Sequence, residues 1–167
     1  AMGIICATPT AGSSGTIPGV LFKLEKTHDL TEDQMIDFLF TSALFGRVVA
    51  NNASVAGATG GCQAEVGSAS AMAAAAAVAI FGGKPEASGH AMALAISNLL
   101  GLVCDPVAGL VEIPCVMRNA IGSGNALISA DLALAGVESR IPVDEVIEAM
   151  DKVGRNLPAS LRETGLG

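Results

Sequence analysis

The 167-residue sequence has no Trp and no Tyr, and only five Phe. The flat aromatic platforms on which proteins stack bases or sugars are therefore scarce. Charge is sparse too: 15% of residues carry it, and nine basic against sixteen acidic side chains leave a formal net charge of −7. The basic residues are scattered, so no basic patch faces a phosphate backbone or an anionic lipid surface. Nucleic acid is excluded as an expected partner. Period-two alternation is almost absent, which argues against sheets. What remains is an apolar chain, 51% hydrophobic, long enough for one domain with a sizeable core.

One uncharged run, VGSASAMAAAAAVAIFGG at residues 66–83, is just long enough to span a bilayer. Alanine is only weakly apolar, Gly67, Ser68, Ser70, Gly82 and Gly83 dilute the window, and aromatic belts and basic flanks are missing. The run reads as a core helix whose small residues let other helices approach closely, and no membrane is expected. The opening AMGIICATPT lacks the basic region of a signal peptide, so a cytoplasmic location is expected. Ala1 reads as a cloning remnant, and residues 1–167 read as one domain cut from a longer protein at both ends. Surface left bare by missing chain or subunits would account for the apolar composition.

Helical signals dominate. Residues 3–7 form a candidate short strand, and Gly12 to Gly15 a small-residue loop before a helix from Pro18 to about Lys26. Thr31 and Gln34 have capping-box spacing, after which Met35, Ile36, Leu39, Ala43 and Leu44 recur at helical intervals. Residues 51–61 read as loop, followed by the alanine helix to about Phe81 and another from Pro85 to about Leu100. Gly101 to Pro114 is irregular, with Pro106, Gly109 and Pro114 opposing a helix. A helix from Cys115 to about Ala135, interrupted at Gly122 and Gly124, precedes one from Pro142 to about Asn156 with Asp144 and Glu145 near its positive end. The expected fold is mainly α: a single all-helical domain of about six helices with Gly/Pro-rich loops.

Of four cysteines, Cys6 lies in an apolar entry segment and reads as a small packing residue. Cys62 follows Gly60 and Gly61, Cys104 precedes Asp105 and Pro106, and Cys115 follows Pro114, so each sits at a loop-to-helix junction or within a loop that ends at one. Free backbone N–H groups at such junctions favour an anion, and a thiolate is one. A disulfide network is a poor fit for an odd set without a secretory signal. Structural zinc is equally poor, because the separations are 104 − 62 = 42 and 115 − 104 = 11 residues, with no His at pair spacing. Three readings stay open from the residues: buried thiols in a non-enzymatic helical oligomerisation module, a thiol-dependent enzyme without metal that would need His28 or His90 as base, and three ligands of a 4Fe-4S cluster whose fourth iron is open.

The runs TPTAGSSGTIPGVL (8–21), NNASVAGATGGCQAEVG (51–67), GLVCDPVAGLVEIPCVMRNA (101–120) and LPASLRETGLG (157–167) closely resemble the alpha subunit, or catalytic domain, of iron-sulfur-dependent L-serine dehydratases. The resemblance implies that Cys62, Cys104 and Cys115 ligate a 4Fe-4S cluster, prone to loss in air, and that Cys6 does not. It implies deamination of L-serine to pyruvate and ammonia in amino-acid catabolism and gluconeogenesis, without pyridoxal phosphate; Lys23, Lys26, Lys84 and Lys152 all stand in polar contexts. A beta subunit or regulatory domain is the implied partner in an oligomer, and the implied source of a Ser-Ser-His-Thr base motif absent here.

The substrate carboxylate needs donors. Ser13, Ser14 and Thr16, in a loop ahead of a helix, suit a carboxylate nest, Arg118 lies one turn from Cys115, and Asn52 is a weaker candidate. Gln63, Glu65 and Asp105 adjoin the thiols and are expected to orient loops. Some family members carry Glu-His-Asn shortly before the second motif cysteine; here those positions are Ser97, Asn98 and Leu99.

Overall fold

A computed structural model describes residues 3–104 and 112–164. Among them there is no strand, and seven α-helices follow one another: α1 (Thr16–His28), α2 (Glu32–Asn52), α3 (Gly57–Gly60), α4 (Ser68–Ile80), α5 (Pro85–Leu99), α6 (Glu112–Leu134) and α7 (Val143–Asn156). Six are long and α3 is a single turn, in line with the expected all-helical domain.

α4 forms the axis. It packs against α1, α2, α5 and α6, and every residue from Ser68 to Val78 is buried. Alanine allows this: a methyl side chain loses no rotamer freedom, and it lets neighbouring backbones come close on all sides. The stretch Gln63–Ile80 is long and apolar enough to cross a membrane, yet 89% of it is buried inside the fold. Larger side chains fill the gaps around the axis, with Ile17, Val20, Phe38, Val49, Met92, Ile96, Ile147 and Met150 all buried. Where α2 crosses α4, Gly46 faces Met72, and a Cβ there would stand 2.5 Å from the Met72 Cε.

Several expectations hold in detail. Thr31 and Gln34 form a reciprocal capping box on α2, and Asp144 and Glu145 occupy the first turn of α7, for which Pro142 is the N-cap. Others are corrected. Residues 3–7 adopt no regular structure, since no strand among the described residues is there to pair with them. Residues 51–61 are not all loop: α2 runs on through Asn52, and Gly57–Gly60 form α3. α1 begins at Thr16, so Pro18 falls within its first turn, where no intrahelical N–H is needed. α6 begins at Glu112 and passes unbroken through Gly122 and Gly124. Gly122 is small for packing reasons, because a Cβ there would meet Val66 Cγ1 at 2.7 Å. Asp105, Pro106 and Gly109 lie outside the described residues.

The apolar spacing of α2 locates a helix but not its buried face. Phe38, Ser42, Gly46 and Val49 point inward, while Ile36, Leu39, Phe40 and Leu44 are exposed. On α6, Val116, Met117, Ile121 and Ile128 are exposed as well.

Candidate active site

Three distant segments converge at one end of α4. Gly61 has φ +75°, a left-handed conformation suited to glycine, and a Cβ there would meet Leu157 Cδ1 at 2.6 Å. This turn delivers Cys62 to the start of a π-helical stretch, Gln63–Gly67, that continues into α4. Such widened turns recur at functional sites. Gln63 then ties the neighbourhood together. Its backbone N–H donates to the Leu102 carbonyl at 2.8 Å, its side-chain amide donates to Gly60 O at 3.0 Å and Met150 O at 2.9 Å, and its Oε1 accepts from Gly101 N at 2.8 Å. The expectation that Gln63 orients loops is met.

Cys104 is held by its own N–H, which donates to Leu161 O at 3.0 Å. Cys115 lies in the first turn of α6. Cys62 and Cys104 are each 2% exposed, whereas Cys115 is half-buried and lines an open cleft of about 470 Å³ together with Gly12, Ser14, Gly15, Asn119 and Glu163. Cys6 is exposed and does not join them.

The three thiols act on one another. Burial, opposed by the adjacent Arg118 guanidinium, pushes the Cys62 thiol up from its ordinary value. Burial first, then the charges of Cys62, Glu163, Cys115 and Glu65, push Cys104 up to about 12. Burial, followed by Cys62, Glu65 and Glu163, raises Cys115 as well, with Arg118 opposing. Each thiol therefore resists becoming a thiolate on its own. A nucleophilic cysteine needs the opposite environment. No His is among the groups acting on the three thiols: His28 packs edge-on against Phe81 with ring centroids 4.9 Å apart, and His90 Nδ1 accepts the Ser139 N–H at 3.2 Å.

Among the described residues, no three His, Cys, Asp or Glu side chains close tightly enough to hold a single metal ion. A 4Fe-4S core asks for something else, because each iron takes its own thiolate and the sulfurs stand around the core rather than around one ion. Three thiols brought to one place, with one guanidinium beside them, fit such a group in donor type and number.

Two carboxylates border the thiols. Glu65 Oε2 accepts the Gly57 N–H at 3.0 Å, and its Oε1 rests where a Cβ on Gly12 would be. Glu163 donates its backbone N–H to Gly57 O at 3.4 Å, and its carboxyl is raised by burial and then by Glu65. Glu163 escaped the sequence reading although it lies in one of the family-like runs.

Asn119 was missed likewise. Its Nδ2 donates to Gly12 O at 2.5 Å and to Cys115 O at 2.8 Å, while its Oδ1 accepts from Gly15 N and Thr16 Oγ1, both at 3.0 Å. Both amide hydrogens and two acceptor positions are used, which locks the 12–16 loop onto the first turn of α6. Its spacing of four from Cys115 was the available signal.

The remaining expected residues separate. Ser13 is buried and its hydroxyl bonds Thr8 O and Thr10 O, and Thr16 is buried with its hydroxyl on Asn119, so both shape the loop. Ser14 lines the cleft. Arg118 joins the thiols. Asn52 does not: it is exposed, donates to Val48 O at 2.7 Å, and lines hollows shared with Asp144 and Glu148 or with Asp151 and Arg155. Asn98, at the departure from the family pattern, donates to Asn125 Oδ1 at 2.8 Å.

A family model for the serine dehydratase alpha chain matches residues 1–167. The chain is 68% identical over 166 residues to a "Probable L-serine dehydratase, alpha chain" from Latilactobacillus sakei, covering 99% of this chain and 79% of that one. It is 66% identical over 167 residues to the protein of the same name from Bacillus subtilis, covering 100% of this chain and 56% of that one. Against the "L-serine dehydratase, alpha chain" of Peptoniphilus asaccharolyticus it is 55% identical over 166 residues, 99% of this chain and 57% of that one. The chain thus spans little more than half the length of two of these relatives. With the match running from first residue to last and through all three cysteine segments, the chain belongs to the serine dehydratase alpha chain family.

Proposed function

We propose that this chain is the cluster-bearing part of an enzyme that dehydrates L-serine, giving pyruvate and ammonia, in the cytoplasm and without pyridoxal phosphate. The observation that carries the reading is the convergence of Cys62, Cys104 and Cys115, drawn from three separate segments, beside a cleft lined by Cys115. These residues would hold a 4Fe-4S cluster, which when bound supplies an open iron as Lewis acid to make the serine hydroxyl a competent leaving group. The product of water loss is aminoacrylate, which hydrolyses to pyruvate and ammonia.

The chain's own residues position the substrate. Ser14 faces the cleft and offers a hydroxyl donor to the substrate carboxylate, on a loop that Asn119 holds rigid. Glu163 lines the same cleft with a carboxyl that can meet the substrate ammonium. The base that removes the Cα proton comes from outside these residues, from a beta chain or from a further part of the alpha chain, in keeping with the absence of any His among the groups acting on the three thiols. Exposed Val116, Met117 and Ile121 continue from the cleft along α6 and give that partner an apolar seat.

The test uses the full-length alpha chain with its beta chain, prepared without oxygen and assayed for pyruvate from L-serine. Activity that disappears on removal of iron and returns with iron and sulfide supports the proposal. Undiminished activity in the iron-free enzyme overturns it.

A further inference from the structure

Arg118 links all three thiol-bearing segments. It stands one turn beyond Cys115 on α6, its Nη1 donates to the carbonyl of Val103 at 2.6 Å, immediately before Cys104, and its guanidinium lies against the Cys62 thiol. Segments separated by 104 − 62 = 42 and 115 − 104 = 11 residues thus meet at one planar group. A forked donor suits such a junction. A lysine ammonium is a point charge on a flexible stem, whereas the guanidinium presents several N–H groups in a fixed plane.

The surroundings sharpen its role. Glu65 and Glu163 set two carboxylates at the same site, both against Gly57, and Arg118 brings a guanidinium to it through the Val103 carbonyl beside Cys104. The two salt bridges among the described residues, Lys152 with Glu148 and Arg155 with Asp151, are both on α7 and engage neither carboxylate.

We propose that Arg118 is a positioning residue that fixes the spacing of the three cysteines and offsets the negative charge of the metal group they hold. This rests on the cluster reading above. The guanidinium has two separable properties, its fork and its charge. Arg118→Lys keeps the charge and loses the fork; Arg118→Gln loses the charge and keeps a short planar donor.

The test reconstitutes the full-length alpha chain, with its partner and without oxygen, using iron and sulfide. Two readouts are followed besides activity: the rate of iron release to a chelator, and the midpoint potential of the bound cluster. Far-UV circular dichroism establishes that each variant is folded. Groups that orient metal ligands typically contribute about 10–100-fold to metal affinity, so both variants are expected to release iron about 10–100-fold faster than the parent. Arg118→Gln should also lower the midpoint potential, since a positive charge near the cluster favours the reduced form, and Arg118→Lys should leave it near the parent value. A merely structural arginine would move retention in both variants but leave the potential of Arg118→Gln unchanged, which overturns the charge role. Parent-like retention in both variants overturns the spacing role. Iron binding that also survives Cys62→Ala, Cys104→Ala and Cys115→Ala would mean instead that the cluster reading itself has failed.

Discussion

Glu65 and Glu163 meet over Gly57: a Cβ on that glycine would stand 2.6 Å from the Glu65 Oε2 and 3.0 Å from the Glu163 Oε2. The missing side chain lets the loop before Cys62 accept one carboxylate by its N–H and the C-terminal segment by its carbonyl. Gly57→Ala should therefore push both carboxylates aside and destabilise the fold by about 1–3 kcal/mol, as overpacking does. Thermal unfolding followed by circular dichroism checks this; an unchanged midpoint would mean the carboxylates shift freely.

Asn119 carries four hydrogen bonds at the junction of the 12–16 loop and α6. Asn119→Ala removes them all and leaves part-buried partners unpaired, at a cost of about 1–3 kcal/mol. The midpoint in urea should fall, and the loop should become cleavable by a protease that spares the parent. Asn119→Asp keeps the acceptor only, so an intermediate loss is expected.

The metal-free protein should weaken in alkali. Cys104 ionises at 9.0 in its ordinary state and is pushed up to about 12 when folded, so the folded form holds its proton more tightly than the unfolded form. Stability from this group is complete below pH 9.0 and declines as pH rises toward about 12. Urea denaturation across that range should show the decline, and Cys104→Ser should lessen it, leaving the part due to Cys62 and Cys115, whose thiols burial also raises.

Thiol accessibility follows burial. In the metal-free native protein, Cys6 should be alkylated first and Cys115 next, while Cys62 and Cys104 react only once the chain unfolds. Mass spectrometry of partially alkylated protein reads the order directly. Fast labelling of Cys62 would contradict the packing around Gly61 and Leu157.

The fold was largely legible because helix signals here are local. A capping box at Thr31 and Gln34, and acidic residues opening α7, act within one turn, and both behave as read. What the sequence could not disclose depends on neighbours distant along the chain. The apolar spacing of α2 fits either face, and packing against α4 selected Phe38 while exposing Leu39 and Leu44. Gly122 reads as a helix breaker in isolation, but Val66 requires a small residue there and α6 runs through it. At the site, the three junction cysteines announced themselves through the glycines and prolines beside them. Glu163, almost 100 residues from Glu65, had no local mark, and the hydroxyls of Ser13 and Thr16 gave no sign of being committed to the loop itself.

The central claim is that Cys62, Cys104 and Cys115 together hold an iron-sulfur cluster. The most direct measurement is the iron and sulfide content, with the optical spectrum, of the full-length chain reconstituted without oxygen, as parent and as four single Cys→Ala variants. The account predicts a broad brown absorption with iron and sulfide in the parent and in Cys6→Ala, and its loss in Cys62→Ala, Cys104→Ala and Cys115→Ala. A full complement of iron and sulfide in any of those three would contradict it.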